Sequence, residues 1–164
     1  MTKSESNNLG TPLEPYNLFL SDPVLPAAIK REGGDVDLLA KFGEQVGTEE
    51  MFEWGRLANR NSPILHTHDR FGTRIDEIEY HPAYHSLLKM SVGNGIHSMR
   101  YEQDPGAGAY VTRNGLMGLV TQVEMGHCCP ISMTSAALPA LRHQPELAAV
   151  WEPKIVTREY DPRL

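Results

Sequence analysis

From Met125 to Leu141 the chain reads MGHCCPISMTSAALPAL, without one formally charged residue. Such a stretch cannot face water on every side. It must be core, a membrane segment, a thiol or metal centre, or the wall of a cavity. A membrane span needs about 20 consecutive apolar residues. This run is shorter, carries Ser132, Thr134 and Ser135, and is broken by Pro130 and Pro139. It predicts an uncharged helix opened by Pro130, because proline suits a first turn. Pro139 is expected to end or kink that helix, since its ring clashes with the carbonyl four residues back.

Whether the rest of the chain can build around such a helix depends on its size and charge. At 164 residues, 40% hydrophobic and 22% charged, it is one domain by length and can close a core. The net charge of -6 repels a phosphate backbone, which argues against nucleic acid as the partner of this chain. Two cysteines make no disulfide framework. The first twenty residues are polar and proline-containing, with no apolar segment of signal-peptide type, and read as a flexible or wrapping arm. A cytoplasmic protein is expected, with no membrane contact.

The remaining pattern is helical. Ser21 or Asp22 caps a first helix that Gly33 and Gly34 end. Val36, Leu39, Phe42 and Val46 recur at helical spacing before Gly47. Thr48 caps a third helix whose stripe is Met51, Trp54, Leu57 and Ala58. Asp69 to Gly72 is a turn between two β-tolerant runs, predicting a small hairpin near residues 64–80. His81 and Pro82 open a helix facing Tyr84, Leu87, Leu88 and Val92 inward. The longest pattern, about Ala109 to Gly126, buries Leu116, Leu119, Val120 and Val123. Gly115 and Gly118 within it each cost about 1 kcal/mol against alanine, so a close backbone approach is expected there. Gln144 to Trp151 makes one short final helix. The fold class is all-α: a bundle of six or seven helices with one hairpin excursion. It divides into an arm (1–20), a helical domain (21–152) and a polar connector (153–164).

Four kinds of site compete for the chemistry. His66 and His68 share a strand face, and His81 and His85 share a helix face, but no complete ligand set stands at a metal-binding spacing. A structural role is expected for all four. Adjacent Cys128 and Cys129 lie too close for an unstrained disulfide. Either could have a lowered thiol pKa near a helix N-terminus, though a buried cysteine more often packs as a small hydrophobe. Ser132 and Ser135 have no base partner in the sequence, and Gly106 to Ala109 lacks the lysine of a phosphate loop. There remains the wall. The hydroxyls of the 131–138 helix can bond back to the preceding turn and be buried without other partners. Plain core is the commoner fate of such a helix.

Several separated segments, EPYNLFLSDPVL, THDRFGTRIDEIEYHPAYH, QVEMGHCCPISMTSAALPAL and WEPKIVTREYDPR, occur in order between Tyr16 and Arg163. Together they resemble the N-terminal helical domain of the AidB-type, adaptive-response branch of acyl-CoA dehydrogenases. The resemblance implies a flavoprotein with a middle β-domain and a C-terminal helical bundle, assembled as a homo-tetramer. FAD sits among its domains, and a glutamate of the C-terminal bundle takes the α-proton while hydride passes to the flavin. It also implies that the 130–138 helix lines the acyl pocket, which makes Ile131, Met133, Thr134, Ala137 and Leu138 the candidate lining residues. The family's flavin-binding segment, β-domain and catalytic bundle would lie beyond Leu164, so no catalytic residue and no metal ligand is expected here, and FAD is not expected to stay on this chain alone. The branch is associated with DNA and alkylation damage, a role the resemblance gives to the C-terminal region. A DNA-protection protein and an oligomerisation module are the alternative readings.

Overall fold

The fold is set first by where helices can start. In a computed structural model of the chain, which describes residues 15–102 and 105–163, the cap positions are filled largely as the sequence dictates. The Asp22 carboxylate accepts from the Val24 and Leu25 amides, so α1 begins at Leu25 and runs to Arg31. Asp35 caps α2 (Val36–Val46) and Thr48 caps α3 (Glu49–Arg60). The His81 ring nitrogen Nδ1 accepts from Ala83 and opens α4 (Pro82–Gly93). Between α3 and α4 stand β1 (Ile64–His68) and β2 (Arg74–Glu79), an antiparallel hairpin closed by Asp69. Then come a 3-10 turn (Met99–Tyr101), α5 (Ala109–Val123), α6 (Cys128–Leu141) and α7 (Pro145–Ile155). Among the described residues this is seven α-helices and one hairpin.

The core is one cluster drawn from almost every helix. Phe19, Leu39, Phe42, Val46, Leu87, Ile96, Leu116, Leu119 and Ile131 all lie within it. The end of the expected arm belongs to it too: Leu18 and Phe19 are buried. They reach the core because Tyr16 and Leu18 donate to the carbonyls of Gly47 and Gly43. The Asn17 side chain donates to the Ala40 carbonyl at 2.8 Å and accepts from Phe19 and Leu20. A side chain at Gly43 would meet the Phe19 amide at 2.7 Å, so this docking depends on a bare backbone. Residues 1–14 lie outside the described residues.

Three expectations are corrected. Helix α6 starts at Cys128, before Pro130, and runs through Pro139 to Leu141, because the Arg142 amide still closes on Leu138. The final helix is longer than expected and passes Pro153 to Ile155, into the segment read as connector. Of the two costly glycines, Gly115 is packed against Leu39 and Ile29 side chains, whereas nothing stands near Gly118. The polar tail is held to the bundle. The His97 Nε2–H donates to the Thr157 carbonyl (3.0 Å), Arg158 pairs with Glu102 (2.7 Å) and Tyr160 hydrogen-bonds His85 (2.6 Å).

One buried joint aims α6. Glu124 ends α5, and its carboxylate accepts from the Gly126 amide, the His127 amide and His127 Nδ1. His127 Nε2 in turn meets the Ser91 hydroxyl of α4 at 3.0 Å. All three side chains are buried. Burial alone would raise the Glu124 carboxyl, but the donors from His127 and Gly126 outweigh it and hold it below its ordinary value. Burial pushes the His127 imidazole below its ordinary 6.5, against the pull of Glu124. At neutral pH the joint is therefore a carboxylate and a neutral imidazole with its proton on Nδ1, accepting from Ser91.

Two predictions follow from these contacts. Gly43→Ala should destabilise by about 1–3 kcal/mol through overpacking against Phe19, and Gly118→Ala should stabilise by about 0.5–1 kcal/mol; urea titration of both variants checks the opposite signs. The joint fixes a pH dependence. Below about pH 6.5 the unfolded chain protonates its histidine, and below about 4.5 its glutamate, before the folded joint accepts either proton. Its contribution is full above that window and lost on acidification. Glu124→Gln should cost about 3 kcal/mol at pH 7, because three donors lose a charged acceptor, which urea titration at pH 7 measures.

Candidate functional site

A helix with no charge has to be oriented by the sizes of its side chains. In α6, Ile131, Ser135 and Leu138 fall at positions i, i+4 and i+7 and are buried in the chain's own packing. Cys129, Ser132, Met133, Ala136 and Ala140 lie on the outer side and are exposed. Leu138 is 0% exposed and Met133 67%, so the helix has one sealed stripe and one open one. The five candidate lining residues are therefore divided. Ile131 and Leu138 face inward, Met133 stands on the open face, and Thr134 and Ala137 are half-buried at its border. The open face carries small and flexible groups: Cys129 Sγ lies 4.0 Å from Met133 Sδ along it.

The apolar exposure continues elsewhere. Met125, in the turn before α6, is 71% exposed. Helix α7 buries no residue and presents Leu147, Val150 and Trp151, with Lys154 lying over the Trp151 ring. Beside Glu124 and Gly126 opens a cleft of about 310 Å³, walled by His81 and the stacked rings of Tyr80 and Tyr84. Burial pushes the Tyr84 phenol up to about 12, so that wall is neutral.

The competing sites fall into place. Cys128 is buried; burial, reinforced by Glu124, pushes its thiol up to about 11, the reverse of the shift a nucleophile needs. Its Sγ instead donates to the Glu124 carbonyl at 3.4 Å. His66 pairs with Glu79 on the hairpin, His68 contacts Thr67, His81 caps and His85 bonds Tyr160. Among the described residues no group of three ligands converges on a metal position. Ser135 does not bond back to the preceding turn: its hydroxyl is buried without a partner.

The joint was missed by sequence reading. Ser91, His127 and Glu124 stand in the order nucleophile, base and orienter. Ser91 and His127 are fully buried, so no substrate carbonyl reaches them and the arrangement is architectural. The legible half was Glu124, the carboxylate bordering the uncharged run, with His127 three residues on. Ser91 is distant in sequence and gives no such signal.

These features have relatives. The sequence matches the family described as the adaptive response protein AidB N-terminal domain over residues 8–162. It is 42% identical over 160 residues to AidB of Escherichia coli (strain K12), covering 96% of this chain and 30% of that protein. It is 27% identical over 144 residues to acyl-CoA dehydrogenase family member 11 of Caenorhabditis elegans, covering 77% of this chain and 21% of that one. In structure it superposes with a TM-score of 0.80 on C. elegans ACDH-11 in complex with C11-CoA, at 22% identity, over 97% of this chain and 29% of the other. The apo form of Bd2924 gives 0.80 at 25% identity, over 93% and 32%. The chain thus spans about a third or less of each of these proteins. With nearly its whole length matched, it belongs to the family of AidB N-terminal domains.

Proposed function

We propose that this chain is one wall of the acyl pocket, and part of the cover over the flavin, in an AidB-like FAD-dependent acyl-CoA dehydrogenase, and that it is inactive alone. The observation that carries this reading is the open, charge-free face of α6. Met133 would touch the acyl chain or the ring, Thr134 and Ala137 would border it, and Ile131 and Leu138 would hold the helix against the core. An apolar wall excludes water from a site where a proton and a hydride leave a thioester. The acyl-CoA carried by the C. elegans relative supports a thioester as the ligand class.

The residues fit a cover and do not fit a complete FAD site. Between Met125 and Leu141 there is no cation to meet a pyrophosphate. When bound by the parent protein, FAD would supply the hydride acceptor; this chain's part is shape and dryness. The rest of that protein, a β-domain and a C-terminal helical domain, would complete the pocket within a cytoplasmic tetramer.

Purified alone, the chain should bind no stoichiometric FAD. Supplied together with the remaining polypeptide of its parent, it should give a yellow complex active on acyl-CoA. Met133→Glu should weaken that complex by about tenfold or more, since a carboxylate would be buried without a partner. Stoichiometric flavin and turnover on the chain alone, or a Met133→Glu complex indistinguishable from the parent one, would overturn the reading.

A further inference from the structure

We propose that Arg100 and Arg113 form a binding site for a phosphate dianion, free or as the terminal monoester of a small molecule. This is independent of the acyl-pocket reading and begins from how the arginines are paired. Arg31, Arg56, Arg74, Arg142, Arg158 and Arg163 each lie against a carboxylate, and all six are exposed. Water solvates those charges in any case, so the pairs contribute little. Arg100 and Arg113 are the two half-buried arginines, and among the described residues neither has a carboxylate partner. Withdrawing a charge from water is costly unless a counter-charge meets it. The cations most in need of an anion are therefore the ones this chain leaves without it.

The two belong to one cluster. Arg113 of α5 donates from Nε to the Ile96 carbonyl at 2.8 Å and from Nη1 to Asn114 Oδ1 at 3.2 Å. Arg100, in the 3-10 turn, lies over two rings, its Cζ 4.5 Å from the centroid of Tyr101 and 4.8 Å from that of Tyr110. Its Nε is buried and has no hydrogen-bond partner among the described residues. Ring faces and a carbonyl offset part of the burial but leave both charges standing. Burial, and after it the charge of Arg100, lower the pKa of Arg113, so the two cations feel each other. Arg142 also lies over Tyr101, at 5.2 Å, but Glu152 already meets its charge.

Charge and shape select the ligand. Two neighbouring unmatched cations call for two negative charges. A carboxylate brings one charge and fills one guanidinium fork. A phosphate monoester brings about -1.5 to -2 and has three free oxygens to share between two forks. A phosphodiester keeps a single charge on each phosphorus, so neither nucleic acid nor the pyrophosphate bridge of a dinucleotide suits the pair. The net charge of -6 on the whole chain works the same way, holding off polyanions and admitting a small anion to a local positive spot. Tyr110, 55% exposed beside Arg100, leaves a ring against which an aromatic part of such a ligand can rest.

The test is calorimetric titration of the 164-residue chain at low salt and about pH 8, where a monoester is a dianion. Inorganic phosphate and AMP should each bind one to one, and cyclic AMP, a diester with one charge, about tenfold more weakly or less. Tighter binding of AMP assigns the ligand as a monoester on an aromatic base, and equal affinities assign the free ion. Arg100→Gln should weaken phosphate binding about tenfold or more. Arg100→Lys, which keeps the charge without the fork, should fold as the parent chain does by circular dichroism and still bind more weakly. Arg56→Gln removes an exposed arginine already paired with Glu53 and should leave binding unchanged. No saturable binding of either dianion, cyclic AMP binding as well as AMP, or equal losses in Arg100→Gln and Arg56→Gln would overturn the proposal.

Discussion

A buried carboxylate holds this architecture in register. Glu124 gathers two backbone amides and an imidazole N–H at the point where α5 stops, and so fixes the direction in which α6 leaves. A buried charge with fewer donors would be prohibitively costly; with three it is a rigid corner. Because His127 passes the connection on to Ser91, three helices meet at one hydrogen-bonded line. Burial keeps the imidazole neutral, against the pull of Glu124, and Ser91 sealed, which is why a constellation with the order of a hydrolytic triad is only a joint.

From that corner the rest of α6 follows. Ile131, Ser135 and Leu138 are drawn into the core, and the opposite stripe is left uncharged and uncovered. Helix α7 repeats the theme with Leu147, Val150 and Trp151. Exposed apolar faces on two adjacent elements are what an interdomain boundary looks like when only one side is present. The relatives are each about three or more times longer than this chain.

Much of this was legible in the sequence, and the limits have physical causes. A stripe announced α2, and caps and stripes announced α3 and α4, because Thr48 and His81 stand where free amides need acceptors; the Asp35 cap of α2 appeared only in the structure. The hairpin was announced by Asp69 and Gly72, which make its turn. The boundaries of α6 were misread because proline was treated as a start and a stop, whereas a helix loses a single hydrogen bond at Pro139 and continues when its next amides find partners. Nor could periodicity choose between Met133 and Leu138: an uncharged helix has no polar face to point outward, so its orientation comes from the joint at Glu124 and not from its own pattern. The docking of Leu18 and Phe19 depended on Gly43 in α2 and Gly47 just past its end, whose meaning appears only when the segment from Tyr16 to Phe19 is placed against them.

Cysteine alkylation measures the central claim directly, since Cys129 lies on the open stripe of α6 and Cys128 beneath it. In this chain Cys129 should be modified readily and Cys128 only on unfolding. In the full-length parent protein Cys129 should be shielded as strongly as its neighbour. Equal, rapid modification of Cys129 in both proteins would mean that nothing covers that face, and the account of α6 as half of a completed cavity would fail.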